Sequence, residues 1–337
     1  MPLKIFVTGA AGLVGGEVCA RLVGAGHEVV ALIRSTPQVL ANDRSRVEVA
    51  RLVKGDVALP GFGIESGDLG AFDLVIHCAA LTAFDAPAED HARVNVGGTA
   101  NALAFARKSG AALLHVSTAY VCGARDGVVR EDAPLPTGGF ANGYEASKAE
   151  GERLVRGGDV PFAIARPSIV TGHSESGAIR QFDAIYRMFR LIAHGALPAL
   201  PADPRAGFDY VPIDHVARGI VALSETMDRA AGGTFHLVSG QPLSVEALGT
   251  VLADYPGLGA PRWVDPAGFD ADCLPPRARR VWEASAAPYA PYFRRNPLFD
   301  DRALRRSTGL ECPPVGPDYF RRLLDFCVAE GFLRGGA

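Results

Sequence analysis

The sequence lacks the features typical of membrane-spanning, disulfide-stapled and nucleic-acid-binding chains. Its 337 residues contain no uncharged apolar run of about 18 residues, the length of a membrane-spanning helix. Six cysteines lie far apart without a C-x-x-C pair, so neither a metal site nor a disulfide framework is indicated. The charges nearly balance, with 34 Lys+Arg against 37 Asp+Glu, so we expect no nucleic-acid partner.

We expect no signal peptide at the N-terminus. Residues 4–7 already predict a strand, where a secreted chain would carry a charged region, an apolar region and a cleavage site. We therefore expect a cytoplasmic protein without a membrane span. At about 100–200 residues per domain, the length predicts two domains, or one core with a second lobe.

The first half of the chain alternates short β-branched runs with helical patterns, which is typical of a parallel sheet covered on both faces. Strands are predicted at 4–8, 28–33, 47–54, 74–78, 112–117 and 162–166. Helices are predicted at 12–25, within 36–44, at 91–108 and at 144–156. We therefore expect an α/β fold, a Rossmann-type doubly wound parallel sheet.

The pattern changes after about residue 172. Helices are predicted at 181–193, 214–225, 245–252 and 318–331, and strands at 208–212 and 234–238. We assign residues 1–172, with 208–240 returning to them, to the Rossmann-type domain. Residues 173–207 and 241–337 are expected to form a smaller, mainly helical C-terminal lobe that binds the substrate.

A glycine-rich turn connects the first strand with the first helix. Glycines let a phosphate approach the backbone closely, and a helix N-terminus offers unpaired N–H groups and a positive dipole end. The pattern G-x-x-G-x-x-G between strand and helix therefore predicts a dinucleotide site. The residues assigned to it are Thr8, Gly9, Ala11, Gly12, Leu13, Val14 and Gly15.

The end of the second strand bears on the choice of dinucleotide. Arg34 stands where an NAD site usually has an acidic residue for the ribose 2′-hydroxyl. A guanidinium suits a 2′-phosphate, so NADP(H) is favoured over NAD(H), although Arg34 as a solvated surface side chain stays an alternative. Two later strand ends are assigned to the same cofactor, with ordinary loop roles as the alternative: Asp56, Val57, Ala79 and Ala80.

A possible catalytic group lies on the fourth predicted helix. Tyr144 and Lys148 are four residues apart and so share a helix face. A phenol with a pKa of about 10 is a poor acid at neutral pH, but a nearby cation lowers its pKa. Thr118, or its neighbour Ser117, ends a central strand and can donate a hydrogen bond to a substrate carbonyl. Asn95 could hold a water that connects Lys148 to solvent.

These segments resemble the extended short-chain dehydrogenase/reductases over roughly residues 3–240. The resemblance is carried by the glycine turn, the hydroxyl-bearing strand end, Y-x-x-x-K, and R-P-S-I-V-T-G at 166–172. It implies Thr118, Tyr144 and Lys148 as a catalytic triad supported by Asn95.

The resemblance also implies cofactor contacts in the second part of the domain. Tyr144 and Lys148 would contact the cofactor, with Lys148 on the nicotinamide ribose. The backbone that follows Pro167, including Ile169 and Val170, would face the nicotinamide.

Three segments resemble one branch of this superfamily, the thioester reductase domains and fatty acyl-CoA reductases. They are H-V-S-T-A-Y-V at 115–121, N-G-Y-E-A-S-K-A-E-G-E at 142–152 and R-P-S-I-V-T-G-H-S-E-S-G at 166–177. The chain departs from the branch at His173, where G-D-S is common. The branch implies NADPH-dependent reduction of an acyl thioester to an aldehyde or alcohol.

The branch also suggests how a substrate would be held and delivered. Ser117, Thr118 and His173 would face the substrate, which is a small molecule or an acyl thioester on coenzyme A or a carrier protein. A homodimer that pairs through the helices of Asn95 and Tyr144 is a further expectation.

Other functions stay open at this point. The same triad serves dehydrogenases of ketone or hydroxy groups and nucleotide-sugar epimerases, and basic residues such as Arg262, Arg277 and Arg279 could bind a sugar-nucleotide diphosphate. A nucleotide-sensing or structural protein of the same fold is a third hypothesis, which the intact triad argues against.

Two further features each have two interpretations. Cys122 could accept an acyl group, but without a neighbouring histidine in the sequence it is more typical of a small buried hydrophobe. An aromatic cluster in the C-terminal lobe could line an acyl pocket or pack between the lobes; it comprises Tyr289, Tyr292, Phe293 and Phe299.

Overall fold

The computed structural model describes residues 1–64, 69–183, 185–255, 257–259 and 261–333. The strands are β1 (Lys4–Thr8), β2 (Glu28–Ile33), β3 (Arg51–Lys54), β4 (Leu74–His77), β5 (Ala112–Val116), β6 (Gly127–Val129), β7 (Phe162–Pro167), β8 (Ile169–Thr171), β9 (Ala199–Pro201), β10 (Gly207–Phe208), β11 (Tyr210–Pro212), β12 (Thr234–Leu237), β13 (Leu243–Ser244), β14 (Arg262–Val264) and β15 (Pro297–Phe299).

The α-helices are α1 (Leu13–Gly24), α2 (Ala88–His91), α3 (Gly97–Ser109), α4 (Gly143–Arg156), α5 (Ile185–Ala193), α6 (Ile213–Glu225), α7 (Met227–Ala230), α8 (Val245–Ala253), α9 (Pro276–Val281), α10 (Arg302–Thr308) and α11 (Pro317–Ala329). Short 3₁₀ and π segments connect several of them.

A seven-stranded parallel sheet in the order β12-β7-β5-β4-β1-β2-β3 confirms the predicted Rossmann-type α/β fold. Successive residues of β1 point to opposite faces, and both faces are buried. Ile5 and Val7 pack with α1 and α6, whereas Phe6 packs with α3. The strand order reverses between β1 and β4, which is where such sheets bind ligands, at the carboxyl ends of their strands.

Several local predictions need correction. The third strand is shorter than 47–54, and the helix predicted within 36–44 is wrong. That segment is non-helical: Leu40 forms an isolated bridge with Arg46, and Arg44 has a φ of 69°. The Asn42 side chain and backbone bond to partners elsewhere in the chain, which gives this short polar segment an alternative to helical hydrogen bonds.

The helix predicted at 91–108 is divided into three parts. It begins as α2, passes through a π-helical turn at Ala92–Val96 and continues as α3. Single π-turns of this kind are rare and occur mostly at functional sites. This turn carries Asn95.

The strand predicted at 208–212 is interrupted by Asp209. The Asp209 carboxylate is buried and accepts hydrogen bonds from Ser168 Oγ at 2.5 Å, Ser239 N at 2.8 Å and Gly240 N at 2.9 Å. These bonds join the segment around Asp209 with the segment that follows β7 and the segment that follows β12. Burial raises the pKa of Asp209.

The C-terminal region has its own aromatic core, formed with α5, α8 and α11. The predicted domain boundaries stay a prediction, and α10 returns to pack on β12 and α6 of the large sheet. No helix within the described residues combines the length and apolar character that crossing a bilayer needs. Within the same residues, no group of three or more His, Cys, Asp or Glu is placed to hold a metal ion.

Candidate active site

A cavity of about 410 Å³ lies at the carboxyl ends of the central strands. The structure brings together thirteen of the residues predicted from the sequence along its wall: Gly9, Gly12, Leu13, Val14, Gly15, Ala80, Ser117, Thr118, Tyr144, Lys148, Pro167, Ile169 and Val170. They come from five separate segments of the chain, so the cavity is where the predicted cofactor and catalytic segments meet.

The glycine turn at one end of this cavity forms a close cradle. Gly9 has a φ of +69°, and a Cβ there would lie 2.6 Å from Ala79 N. A Cβ on Gly15 would lie 2.2 Å from Gly9 O. Gly12 caps α1 without a side-chain hydrogen bond, and the first turn of α1 has no acidic residue. The uncapped N–H groups and the absence of side chains fit a dinucleotide diphosphate.

The candidate catalytic groups converge in the same cavity. Lys148 Nζ donates a 2.7 Å hydrogen bond to Val116 O at the end of β5. The Tyr144 and Thr118 side chains line the same cavity, and the Thr118 hydroxyl acts to lower the pKa of Tyr144. The i, i+4 spacing on α4 thus places both Tyr144 and Lys148 in the same cavity.

Burial dominates the electrostatics of these groups. It raises the pKa of Tyr144, and the nearby Glu145 charge adds to the increase, so the phenol is protonated at neutral pH. This direction is opposite to the lowering by Lys148 that the sequence led us to expect. Burial lowers the pKa of Lys148 to about 8, and the Glu152 carboxylate opposes this change.

Asn95 is fully engaged with protein groups. Its Oδ1 accepts a hydrogen bond from Leu81 N at 2.7 Å, and its Nδ2 donates to Leu81 O at 3.0 Å and to Ser147 Oγ at 2.8 Å. Asn95 therefore joins the segment after β4 to α4. The water connection to Lys148 expected from the sequence stays a prediction.

The other assigned residues lie outside the cavity wall: Thr8, Ala11, Arg34, Asp56, Val57, Ala79 and His173. Thr8 Oγ1 is 2.8 Å from His77 Nδ1 below the glycine turn. Arg34 is exposed directly after β2. Asp56 accepts a hydrogen bond from Ala58 N at 2.9 Å, and His173 Nδ1 accepts one from Glu175 N.

Aromatic side chains line part of the cavity. Three members of the predicted C-terminal aromatic cluster line the cavity: Tyr289, Tyr292 and Phe293. The fourth, Phe299, lies outside the wall and packs against Tyr120. Sequence reasoning missed four more: Phe84, Tyr120, Tyr186 and Phe208. They come from separate segments, and no local pattern connects them.

Phe84 connects the aromatic wall to the catalytic group. Its ring stacks on Tyr292 with centroids 5.5 Å apart and lies 6.0 Å from the ring of Tyr144. A group bound against this wall would therefore lie beside the Tyr144 phenol.

Cys122 has the surroundings of a structural residue. It is buried, its Sγ donates to Gly123 O, and burial raises the pKa of its thiol to about 11. A thiol with such a pKa is a weak nucleophile at neutral pH. These surroundings favour the small-hydrophobe interpretation.

The family model of the male sterility protein, an NAD-binding family, matches residues 7–220. The chain belongs to this family. This places it among the extended short-chain dehydrogenase/reductases, as the resemblance implied, and makes it an NAD(P)-dependent oxidoreductase that resembles thioester reductase domains and fatty acyl-CoA reductases. The NAD-binding family supports a nicotinamide cofactor.

Two curated relatives and one solved structure illustrate the similarity. A linear gramicidin synthase of Brevibacillus parabrevis is 25% identical over 97% of this chain, which spans only 7% of that protein. The 4-hydroxy-2-methyl-3-oxo-4-farnesyl-3,4-dihydroquinoline-1-oxide ketoreductase of Stigmatella aurantiaca is 30% identical over 77% of this chain and 75% of its own length. The terminal R domain of the myxalamid PKS-NRPS pathway has a TM-score of 0.80 at 24% identity, covering 100% of this chain and 93% of that domain.

Proposed function

We propose that the chain is an NADPH-dependent reductase of an acyl thioester, bound to coenzyme A or a carrier protein, and gives an aldehyde or alcohol. One observation carries the proposal: the side chains of Thr118, Tyr144 and Lys148 line one cavity with the glycine turn and an aromatic wall. In this arrangement the glycine turn would hold the cofactor that donates a hydride, Tyr144 would donate a proton, and the aromatic wall would bind an apolar acyl group.

The mechanism follows from the protonation states of the site. A bound reduced nicotinamide supplies the hydride. Thr118 donates a hydrogen bond to the carbonyl oxygen, and Tyr144 gives that oxygen its proton as negative charge develops. The raised pKa of Tyr144 keeps the phenol protonated at neutral pH but makes it a weaker acid, so the transfer of its proton depends on the positive charge of Lys148 in the same cavity. General-acid help of this kind contributes about 10²–10⁴-fold to the rate.

Lys148 carries a positive charge below pH about 8, because that is the value to which burial lowers its pKa. Its role is to bind the nicotinamide ribose and to hold positive charge beside the reacting oxygen. The carbonyl carbon gains a hydride and the oxygen a proton, so a thioester becomes a hemithioacetal. Breaking the C–S bond then releases an aldehyde, and the proton of the hydroxyl passes to the departing thiolate.

The cavity wall favours an uncharged acyl group. Among its described residues, the side chains that carry a charge at neutral pH are Lys148 and Asp183 alone. A sugar-nucleotide diphosphate would need basic partners, but Arg262, Arg277 and Arg279 all lie outside the wall. The wall therefore argues against the epimerase alternative.

A second candidate is the reduction of a ketone. It is favoured by the similarity to the Stigmatella aurantiaca ketoreductase. The roles of Thr118 and Tyr144 would be the same, and the reaction would end at the alcohol because no thiol departs.

The preference for NADPH rests on Arg34. Its side chain is exposed directly after β2, and within the described part of the chain it has no ion-pair partner. An unpaired guanidinium at this strand end suits a 2′-phosphate.

The proposal extends to how the substrate arrives. Delivery by a carrier protein is proposed on the resemblance of three sequence segments to thioester reductase domains. A homodimer formed through the helical segments that carry Asn95 and Tyr144 is proposed on the superfamily resemblance alone.

The test follows NADPH absorbance with matched panels of acyl thioesters, aldehydes and ketones. Tyr144→Phe removes the proton donor, and Tyr255→Phe is a matched control because Tyr255 bonds to Asp325, away from the cavity. Thioester-dependent oxidation that Tyr144→Phe abolishes and Tyr255→Phe retains supports the proposal. Oxidation with ketones alone selects the second candidate, and equal rates in the Tyr144→Phe variant contradict both.

A further inference from the structure

Arg180 lies on the glycine turn although it is far from that turn in the sequence. Its Nη2 donates hydrogen bonds to Gly12 O at 2.9 Å and to Ala11 O at 3.5 Å. It belongs to the segment between β8 and α5, and its neighbours Ile179 and Gln181 both line the cavity. One residue thus connects the predicted diphosphate cradle with the wall of the substrate cavity.

The backbone of Arg180 is held in this place by Asn42. Arg180 N donates to Asn42 Oδ1 at 3.1 Å, and Asn42 Nδ2 donates to Ala178 O at 2.9 Å. Asn42 N in turn donates to Glu17 Oε2 on α1 at 2.9 Å. The segment after β2, the helix α1 and the segment carrying Arg180 are therefore bonded to one another beside the turn.

Positive charge at this place is incompletely balanced. Burial lowers the pKa of Arg180, and its Nε is buried without a hydrogen-bond partner. Glu17, the carboxylate that attracts it, is already paired with Arg21 at 2.9 Å. The N-terminus of α1 adds the positive end of its dipole without an acidic residue in its first turn. A guanidinium and a helix N-terminus therefore face the same small region, which suits an anion.

We propose that Arg180 is a diphosphate-binding residue of the dinucleotide site. Its guanidinium exchanges the backbone carbonyls of the turn for the oxygens of the diphosphate, with which it can form paired, charge-assisted hydrogen bonds. The proposal rests on the proposed use of a nicotinamide dinucleotide. It also connects the cofactor site to the proposed substrate cavity, because the adjacent residues Ile179 and Gln181 line that cavity.

The test measures binding, without any need for a substrate. Dissociation constants are determined by calorimetry for NADPH, for ADP-ribose, which keeps the diphosphate, and for adenosine 2′-monophosphate, which lacks it. Arg180→Gln removes the charge, and Arg180→Lys keeps it. Arg190→Gln is the matched control, because Arg190 is an exposed residue of α5 outside the cavity wall.

We expect Arg180→Gln to weaken NADPH and ADP-ribose by about ten- to a hundredfold, the range of hydrogen bonds to charged groups. Adenosine 2′-monophosphate and the control variant should change less than about threefold. Arg180→Lys should recover part of the loss. The rise in unfolding temperature caused by ADP-ribose should shrink in Arg180→Gln, since that rise follows the affinity.

Two outcomes would overturn the assignment. The first is an Arg180→Gln variant that binds NADPH and ADP-ribose with wild-type affinity. The second is an equal loss for all three ligands together with a lower unfolding temperature of the ligand-free variant, which would show a purely structural clamp. A third outcome separates the two proposals. If Arg180→Gln weakens ADP-ribose binding but neither thioesters nor ketones cause NADPH oxidation by the wild type, this inference is supported and the proposed function is contradicted.

Discussion

The guanidinium of Arg295 forms a buried ion pair with Glu145, the residue that follows Tyr144 on α4. It lies over the rings of Tyr120 and Tyr292, 4.9 and 4.4 Å from their centroids. Tyr292 Oη donates to the same carboxylate at 2.6 Å. The C-terminal region thus holds the first turn of α4, and with it the proton donor of the proposed mechanism.

Breaking this pair is expected to destabilise the chain strongly. Arg295→Met leaves the Glu145 charge buried, which lowers the free energy of unfolding by about 3–5 kcal/mol. Urea denaturation measures the change. The neighbouring Arg294 is exposed, so Arg294→Met is the control and should change stability by less than about 0.5 kcal/mol. Equal midpoints for the two variants would contradict the structural role of the pair.

Lys148 is expected to destabilise the folded chain at neutral pH. Its pKa is lowered from 10.5 to about 8, so between these values the unfolded chain binds more protons and stability rises with pH. At about 1.4 kcal/mol per pKa unit, the burial costs a few kcal/mol below pH 8. The hydrogen bond to Val116 O, lost in Lys148→Met, offsets part of this.

The measurement compares urea denaturation of the wild type and Lys148→Met at pH 7 and pH 10. We expect the variant to be more stable at pH 7 and the difference to shrink at pH 10. A difference that is independent of pH would show that Lys148 does not titrate in this window.

Arg34 is expected to select the cofactor. Arg34→Glu should weaken NADPH binding by about tenfold or more, since a hydrogen bond to a charged group contributes about 1.5–3 kcal/mol. NADH, which lacks the 2′-phosphate, should be affected far less. Fluorescence titration gives both dissociation constants, with the exposed Arg46→Glu as control. A parallel loss for NADPH and NADH would refute the 2′-phosphate role.

Cys122→Ala is expected to keep kcat/KM within about threefold of the wild type, because burial raises the pKa of the thiol to about 11 and the residue lies outside the cavity wall. Small losses of stability, about 1 kcal/mol, follow from the smaller side chain. NADPH oxidation is the measurement, and mass spectrometry checks for an acylated thiol. Acylation at Cys122 during turnover would reverse this interpretation.

The sheet and the glycine turn were predictable because their signals are local. Strands β1 and β2 have the predicted bounds, since continuous apolar runs identify buried parallel strands. The segment 36–44 was not predictable, because Asn42 bonds to Glu17 and to Ala178, and the latter lies 136 residues away.

Site residues that act across the chain left no signal in the sequence. Arg180 is 168 residues from Gly12, and Arg295 is 150 residues from Glu145. The direction of the Tyr144 pKa was mispredicted for the same reason. The spacing to Lys148 is visible in the sequence, whereas the burial that outweighs it depends on the whole fold.

The buried carboxylate of Asp209 limits which segments can be exchanged between related chains to make a chimera. It bonds to groups from the segments around Ser168 and around Ser239 and Gly240, so a chimera cut at these crossings must exchange all three together. A chimera with an apolar residue at 209 would leave donors from both segments unpaired in the interior. If the aromatic wall holds the substrate, as proposed, substitutions along it change substrate range without meeting this constraint, whereas exchange of whole lobes meets it.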